Sequence, residues 1–426
     1  MITLFIVMLA LFAIGTPVAW SIAIAATLYM HFVSHVPLQG MVQRMVGGID
    51  TFPLLAIPFF ILAGNMMNTG GITSRLVDLA KALVGHLTGG LAQSVVVTNM
   101  VMSGMSGSGV ADAAGSGTIL IPAMKRAGYP VPFAAAVTAA AGTIGPIIPP
   151  SIPFVIYGSL ANVSTGRLLL AGAVPGVLMG IVLMIFAYFI SKRRHYPAEQ
   201  RASCGQMVRA LTRALPPLGM PIIILGGIIG GIMTPTEAAA AGAFYSLVLG
   251  LFVYREIKPS MLPHIITESV IGTAAVLIIM SAAQPFGWVL TFEQAPQQVL
   301  GFFDNANFEV WQIYLVINAA LLLLGCFMEG MAVMIMAVPV LLPLLAANNI
   351  DPMHFGVVFV INIMIGSITP PVGTVMYVVL ALGKITIGQF TREVWPFLIA
   401  LVIALFATIY IPELATWLPD LVMPIK

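Results

Sequence analysis

Two short stretches of this sequence carry groups that suit the binding of a small cation. The first is Gly145-Pro-Ile-Ile-Pro-Pro150, and the second is Gly366-Ser-Ile-Thr-Pro-Pro-Val-Gly373. Proline lacks a backbone N–H and its ring clashes with the preceding turn, so adjacent prolines open a helix and leave carbonyl oxygens without partners. Such carbonyls, together with nearby hydroxyls, are the ligands that a hard cation such as Na+ prefers.

The composition around these stretches is that of a membrane protein. The chain has 426 residues, of which 60% are hydrophobic and 8% charged, and its mean hydropathy is +1.05. These values exclude a soluble globular domain and fit a polytopic helical membrane protein. An unpaired carbonyl costs several kcal/mol in hydrocarbon, so a helix break is tolerated only where it is buried in protein or lines a cavity. Two broken helices in corresponding halves point to a transporter's binding site.

The two proline pairs belong to an internal duplication, because Gly366 follows Gly145 by 366 − 145 = 221 residues. The same shift superimposes Ser108 and Gly109 on Glu329 and Gly330, Pro122 on Pro343, and Ile144 on Ile365. Beyond the break one inserted residue changes the shift to 222, and residues 164–166 then match residues 386–388. The order hairpin, broken span, span therefore occurs twice.

The hairpins in this order are two apolar stretches, residues 91–121 and 306–346, that divide at a glycine-rich or polar tip. The tips are Ser103-Gly-Met-Ser-Gly-Ser-Gly109 and Gly325-Cys-Phe-Met-Glu-Gly330. Each stretch predicts two half-spans that enter and leave the membrane on the same side. We therefore expect two re-entrant helical hairpins.

Nine other apolar segments have spanning length. They are residues 2–30, 51–68, 131–163, 168–190, 210–232, 235–254, 264–284, 353–383 and 389–411. We interpret the first as a retained span and not a signal peptide. An odd number of spans puts the chain ends on opposite sides of the membrane, and the second repeat is inverted relative to the first.

The basic residues orient this arrangement through the positive-inside rule. With the basic loop 191–213 in the cytoplasm, all 17 Lys and Arg residues except Arg44, Arg167 and Lys426 fall on the cytoplasmic side. The N-terminus is then cytoplasmic and the C-terminus periplasmic. Residues 36–50 and 74–88 are too polar to span, and we expect helices that lie in the interface or brace a partner.

Three acidic residues lie at or near membrane depth, where ionisable groups are expensive. Asp112 follows the first hairpin tip, where it either carries an ion or stabilises the start of its half-helix, and we prefer the second interpretation. Glu329 lies in the second tip and could face a cavity, pair with a helix end or contact substrate. Glu237 follows Thr234 and Pro235, which is helix-start chemistry, so capping is preferred to ion binding.

Several kinds of chemistry are not supported by the sequence. Gly104-Met-Ser106-Gly-Ser108 lacks the second glycine of a nucleophile elbow, and no strand precedes it. Gly383-Lys-Ile-Thr386 lacks the earlier glycine of a phosphate-binding loop. The six histidines form no pair spaced for zinc, and the basic loop has no aromatic interleaving for nucleic acid. We therefore expect neither an enzyme nor an organic cofactor.

Four motifs in order resemble the large membrane subunit of tripartite ATP-independent periplasmic (TRAP) transporters. They are Met102-Ser-Gly-Met-Ser-Gly-Ser-Gly-Val-Ala-Asp112, Gly145-Pro-Ile-Ile-Pro-Pro-Ser151, Thr234-Pro-Thr-Glu-Ala-Ala-Ala240 and Gly366-Ser-Ile-Thr-Pro-Pro-Val-Gly373. The resemblance covers essentially the whole chain. It implies an all-α elevator-type carrier of the ion transporter superfamily, built from inverted repeats, in the bacterial inner membrane.

The resemblance also implies partners, a coupling ion and a substrate class. Family members work with a small four-helix membrane subunit and a periplasmic substrate-binding protein, and they import C4-dicarboxylates, sialic acid and other small organic acids with a Na+ gradient. The chain has the length of the large subunit alone, so we expect the small subunit to be a separate chain. The implied Na+ ligands are Ser103, Ser106, Gly145, Ile148 and Pro150 in the first repeat, and Gly325, Gly366, Thr369 and Val372 in the second.

Alternatives remain open for both site and function. The glycines and serines of the tips could serve only close helix packing, while Asp112 and Glu329 are possible substrate or ion contacts. The chain could be a stand-alone Na+- or H+-coupled carboxylate carrier without a binding protein. A passive channel or a structural scaffold is a third possibility, against which the repeated broken helices count.

The expected division of the chain follows the repeats. Residues 1–90 hold the first scaffold helices and the interfacial arms, and residues 164–284 hold further scaffold helices. Residues 91–163 and 285–383 form the two halves of a mobile transport domain. Residues 384–426 are the last span and the C-terminal tail.

Overall fold

The computed structural model describes residues 2–33, 38–306 and 308–424. Within these ranges the regular elements are helices and there is no strand. Lys426, which the orientation argument placed outside the cytoplasm, lies outside the described residues. The first five helices are α1 Ile2–Ala13, α2 Val18–Phe32, α3 Leu38–Gly47, α4 Ala56–Thr69 and α5 Ile72–Val84.

The prediction of a single span over residues 2–30 was wrong, because α1 and α2 are separate helices. Gly15 between them has φ of 84°, a left-handed conformation that glycine adopts readily. Pro17 precedes α2 and has no N–H to continue a helix from α1. The helices α3 and α5 confirm that the two polar stretches are helical, and α5 buries one face that includes Leu76 and Leu79.

The first repeat has the predicted order. Hairpin 1 consists of α6 Gly90–Ser106 and α7 Gly109–Arg126, broken helix 1 of α8 Val131–Gly142 and α9 Ile152–Ala161, and the following span of α10 Thr165–Ala171 and α11 Ala173–Arg193. The tip of hairpin 1 is shorter than predicted, because α6 continues through Ser103 to Ser106. The intrinsic helix cost of glycine and serine is at most about 1 kcal/mol per residue, which burial of this segment overrides.

Four helices connect the repeats: α12 Cys204–Ile229, α13 Pro235–Val248, α14 Leu262–Phe292 and α15 Ala295–Asn305. α14 continues past residue 284, where a domain boundary was predicted, and α15 was not predicted. α13 begins with a capping box. The Glu237 N–H donates to Thr234 Oγ1 at 3.3 Å, and the Thr234 N–H donates to Glu237 Oε2 at 2.7 Å. The preferred interpretation of Glu237 as a cap is confirmed.

The second repeat has the same order as the first. Hairpin 2 consists of α16 Val310–Phe327 and α17 Gly330–Ala347, broken helix 2 of α18 Pro352–Gly366 and α19 Thr374–Gly383, and the following span is α20 Ile387–Tyr410. Here too the tip is shorter than predicted, since Gly325 lies within α16. A further helix, α21 Glu413–Val422, was not predicted.

The lengths of these helices agree with the proline-pair argument. The halves of the broken helices have only 10 to 15 residues each. Among the described residues, eight helical segments are long and apolar enough to cross a membrane, and α16 and α17 are two of them. The re-entrant path of hairpin 2, the inversion of the repeats and the division into two domains therefore remain predictions.

The packing brings the two repeats together between α4 and α14. α4 packs against α6, α13 and α14, whereas α14 packs against α2, α4 and α17. The broken helices also contact each other, because α9 packs on α18 and the Tyr157 hydroxyl donates to the Pro352 carbonyl at 2.7 Å. Both hairpin tips and both breaks consequently border the same interior region.

Candidate functional site

A cavity of about 470 Å³ lies between the two hairpin tips, the two breaks, and helices α4 and α14. We call it the central cavity. Its polar lining residues are Asn65, Asn68, Ser106, Ser108, Glu268, Glu329, Ser367 and Thr374. Its volume falls within the range of about 300–1,000 Å³ that is typical of small-molecule sites.

Four helices begin at the wall of the central cavity. The lining includes residues 108–111 at the start of α7, residues 152–153 at the start of α9, Glu329 and Met331 at the start of α17, and residues 374–375 at the start of α19. The first N–H groups of a helix have no partner within the helix, and the N-terminus carries roughly half a positive charge. The described residues of the lining include no Lys, Arg or His. The backbone at the helix N-termini is therefore their source of positive potential, and the carboxylates of Glu268 and Glu329 oppose it.

The two hairpin helices that begin at the cavity are capped at positions that the 221-residue shift superimposes. Ser108 Oγ accepts a hydrogen bond from the Ala111 N–H at 3.4 Å, and Glu329 Oε2 accepts one from the Ala332 N–H at 3.1 Å. Glu329 therefore pairs with a helix end and also faces a cavity. These are two of the three possibilities that the sequence left open.

Asp112 lies where the tip of hairpin 1 meets broken helix 1, and it is fully buried. Its Oδ1 accepts a hydrogen bond from Ser106 Oγ at 2.5 Å, and its Oδ2 has no hydrogen-bond partner among the described residues. A Cβ added to Gly145 would lie 2.5 Å from that Oδ2. Asp112 is in the first turn of α7, as expected, but its carboxylate bonds to the hairpin tip. A buried carboxylate oxygen without a partner is costly unless a cation or a proton compensates it.

The other residues predicted in the first repeat lie at varying distances from this contact. A Cβ at Gly107 in the tip would lie 2.8 Å from the Pro150 carbonyl oxygen, so Pro150 borders the tip. Ser103 is about one turn earlier in α6, and its Oγ donates to the Asn99 carbonyl at 2.5 Å. The Ile148 side chain packs against Gly176 of α11. The structure thus brings Ser106, Gly145 and Pro150 together. The side chains of Ser103 and Ile148 instead contact Asn99 and Gly176.

The predicted residues of the second repeat lie at the corresponding contact between tip and break. A Cβ at Gly366 would lie 2.9 Å from the Cα of Gly325, so two backbones meet there directly. The Val372 N–H donates to the Cys326 carbonyl at 3.1 Å. The Thr369 N–H donates to the Gly366 carbonyl at 3.0 Å. This contact has no buried carboxylate equivalent to Asp112 among its predicted residues.

The cavity also includes residues of α4 and α14 that were not predicted from the sequence. Asn65 donates from Nδ2 to Ser269 Oγ at 2.9 Å, and Asn68 Oδ1 accepts from Thr73 Oγ1 at 3.1 Å. Glu268 lies on α14 and lines the same space. Its position inside the predicted span 264–284 was a usable signal, since ionisable residues within spans are functional candidates.

Known proteins match this chain over nearly its whole length. The sequence matches the family model "Tripartite ATP-independent periplasmic transporter, DctM component" over residues 5–414. It is 42% identical over 413 residues to the sialic acid TRAP transporter large permease protein SiaM of Vibrio cholerae, covering 97% of each chain. It is 38% identical over 400 residues to the C4-dicarboxylate TRAP transporter large permease protein DctM of Pseudomonas aeruginosa, covering 94% of each.

A solved structure shares the fold at low sequence identity. The Alcanivorax borkumensis YdaH transporter superimposes with a TM-score of 0.63 over 90% of each chain, at 16% identity. The predicted all-α polytopic fold is therefore confirmed.

Proposed function

The chain belongs to the DctM component family of tripartite ATP-independent periplasmic transporters, and on that premise we propose that it imports a hydroxyl-rich organic acid anion with a Na+ gradient. It is a transport permease and not an enzyme. Its proposed partners are a small four-helix membrane subunit and a periplasmic substrate-binding protein. The proposed setting is the bacterial inner membrane, with the basic loop 191–213 in the cytoplasm and the C-terminus in the periplasm. The predicted cytoplasmic N-terminus depended on a single span over residues 2–30, so it does not follow from the two helices α1 and α2.

The observation that carries the coupling-ion proposal is the unpartnered Oδ2 of Asp112. Na+ bound there would compensate the buried carboxylate, and Ser106 Oγ lies on the other oxygen of the same group. Gly145 leaves the space next to Oδ2 that a side chain would fill. The opened backbone at Pro150 adds a carbonyl close to the tip. These oxygens are the ligand types that a hard cation takes.

A second ion position is proposed at the contact of Gly325 with Gly366. The contact is made by backbone atoms of the two glycines, including the Gly325 carbonyl oxygen, at the end of α18 where broken helix 2 opens. Thr369 and Val372 belong to the same break. Since Na+ carries its charge inward, each ion contributes about 2.3 kcal/mol per 100 mV of membrane potential.

The central cavity is the proposed substrate site. Four helix N-termini border it, and the Glu329 carboxylate already lies on that of α17. The dipoles of the other three favour an anion without a basic side chain, by up to about 2 kcal/mol for an end in a partly buried geometry. The opposite wall, from α4 and α14, offers Asn65 and Asn68 for hydroxyl or amide groups. We infer that the tips and breaks move together past α4 and α14, which is the elevator arrangement.

The acidic residues of the cavity favour one substrate class over another. Glu268 and Glu329 accept hydrogen bonds, so they suit the hydroxyl groups of a sugar acid. A second substrate carboxylate about 4 Å from either one would meet a repulsion of about 4 kcal/mol at an effective dielectric constant near 20. A polyhydroxylated monocarboxylate, such as the sialic acid of the Vibrio cholerae relative, is therefore favoured over a C4-dicarboxylate.

The ion proposal is tested by Asp112→Asn, which keeps the size of the side chain and removes its charge. Removing one partner of a buried charge pair costs roughly 3–5 kcal/mol, so we expect the Na+ concentration for half-maximal uptake to rise at least 100-fold. Asp50→Asn, at an exposed carboxylate between α3 and α4, is the matched control. If uptake by Asp112→Asn depends on Na+ in the same way as uptake by Asp50→Asn, hairpin 1 does not hold the coupling ion.

The substrate class is tested by competition against uptake of labelled sialic acid. We expect an unlabelled sugar acid to inhibit at concentrations at least tenfold below those of succinate. Glu268→Gln should bring the inhibitory concentrations of the sugar acid and succinate closer together, because it removes the charge that repels a second carboxylate. Equal inhibition by both acids in the unmodified protein would contradict the substrate assignment.

A further inference from the structure

A second cavity, of about 360 Å³, lies between α5, residues 199–202 and the first turns of α12. We call it the basic cavity. Its charged lining residues are Arg75, Asp78, Lys81, Glu199, Arg209 and Arg213. The segment over it is fixed to α5, since the Glu199 N–H donates to the Gly85 carbonyl at 2.9 Å. None of these groups takes part in the transport site described above.

Three of the four basic groups in this cavity have no acidic partner. Arg75 is ion-paired with Glu256 at 2.7 Å and lies over the Tyr254 ring at 3.9 Å. Within the described part of the chain, Lys81, Arg209 and Arg213 form no ion pair. The cavity also contains the carboxylates of Asp78 and Glu199, which leaves an excess of basic groups. This arrangement suits an anion that brings several acceptor oxygens.

The position of α12 sets the depth of this cavity relative to the bilayer. Arg209 and Arg213 are four residues apart and so lie on one face of the helix. Leu215, two residues further along, is 61% exposed, and Ile222 is 70% exposed in a helix long and apolar enough to span. Exposed apolar residues thus begin directly after Arg213, which is the order expected of a helix that enters hydrocarbon just beyond its two arginines.

We propose that the basic cavity binds the phosphate of an anionic phospholipid headgroup from the cytoplasmic leaflet. Arginine presents paired N–H donors that match phosphate oxygens, and Lys81 adds a point charge. Basic pockets between helices on this side of a membrane have the composition that selects acidic lipids. The depth of Arg213 favours a lipid over a soluble phosphate.

The bound headgroup would join two parts of the molecule. α5 supplies Lys81 and packs against α6 of hairpin 1, and α12 supplies the two arginines and packs against α5. An anion held between them bridges the polar faces of α5 and α12. A bound anionic lipid would thereby stabilise the position of α5, the helix that leads into hairpin 1.

The proposal is tested by native mass spectrometry of the purified full chain with phosphatidylglycerol or phosphatidylcholine. We compare the unmodified chain with Arg209→Gln/Arg213→Gln and with the control Lys125→Gln/Arg126→Gln, which removes the same charge from an exposed helix end. Each Lys or Arg near an anionic lipid surface contributes about 1 kcal/mol, which is about fivefold in binding affinity. We therefore expect binding of phosphatidylglycerol to weaken about 30-fold in the first variant and to stay unchanged in the control.

Two outcomes would overturn the assignment. Equal binding of phosphatidylglycerol by both double variants, each with an unchanged unfolding temperature, would show that the cavity does not hold the headgroup. Displacement of the lipid by millimolar inorganic phosphate would show that the site takes a soluble anion. Failure of phosphate to compete, with loss of binding confined to the arginine variant, supports the lipid site.

Discussion

Replacing Gly366 with alanine tests whether the contact between hairpin 2 and broken helix 2 holds a coupling ion. The new Cβ would lie 2.9 Å from the Cα of Gly325 and 3.1 Å from its carbonyl oxygen. Carbon atoms pack at about 3.5–4.0 Å, so the two backbones must separate by roughly 0.6–1 Å. Because the neighbouring atoms are backbone, no side chain can rotate away to make room.

The size of the effect follows from that separation. Forcing extra atoms into a packed contact costs about 1–3 kcal/mol, which is a factor of about 5–150 in the population of the closed contact. We expect the Na+ concentration for half-maximal uptake to rise by this factor in Gly366→Ala. Gly325→Ala should have a smaller effect, since its Cβ meets a single atom, the Gly366 Cα at 3.2 Å.

The assay is Na+ titration of substrate uptake in proteoliposomes, with protein amount and unfolding temperature measured for each variant. Gly226→Ala is the control, because its Cβ would have no neighbour within 4 Å. The reasoning is refuted if Gly366→Ala assembles normally and responds to Na+ as Gly226→Ala does. An effect of Gly325→Ala larger than that of Gly366→Ala would contradict the steric argument.

Three further substitutions test structural roles by thermal unfolding and uptake. Glu237→Ala removes the acceptor of the Thr234 N–H in the capping box, so it should lower the unfolding temperature slightly and leave Na+-dependent uptake intact, whereas loss of coupling would restore the ion-ligand interpretation. Tyr157→Phe should cost about 1 kcal/mol by removing the bond to Pro352 between the broken helices, and an unchanged melting temperature would refute that role. Ser151→Ala removes the acceptor for the Phe154 N–H at the start of α9 and the donor to the Pro146 carbonyl, and the lost cap alone should cost about 0.5–2 kcal/mol; a glycine replacement should restore the capping part but not the bond to Pro146.

Local chemistry was sufficient to predict the helices that carry the site. The proline pairs predicted two broken helices because a missing N–H and a ring clash act within a few residues of the break. The capping box at Thr234 and Glu237 was readable for the same reason. The 221-residue shift then placed Ser108 and Glu329 in equivalent positions, where the structure has the two hairpin caps.

Features that depend on distant contacts were not predictable in this way. Asn65 and Ser269 are separated by 204 residues, and only the fold brings α4 and α14 to the same cavity. The unpartnered oxygen of Asp112 is likewise a property of packing between hairpin 1 and Gly145. The helix break at Gly15 to Pro17 was not predicted, because the apolar run continues on both sides of it and gives the whole of residues 2–30 the length of a span.

The central claim is that this chain drives accumulation of an organic acid with Na+ and receives the acid from a binding protein. Its most direct test is uptake of labelled sialic acid into liposomes that contain this chain and its small membrane subunit. An inward Na+ gradient is imposed with and without the periplasmic binding protein. We predict accumulation only when Na+ and the binding protein are both present. Accumulation without the binding protein would indicate a stand-alone carrier, and equilibration without accumulation under any Na+ gradient would contradict the account.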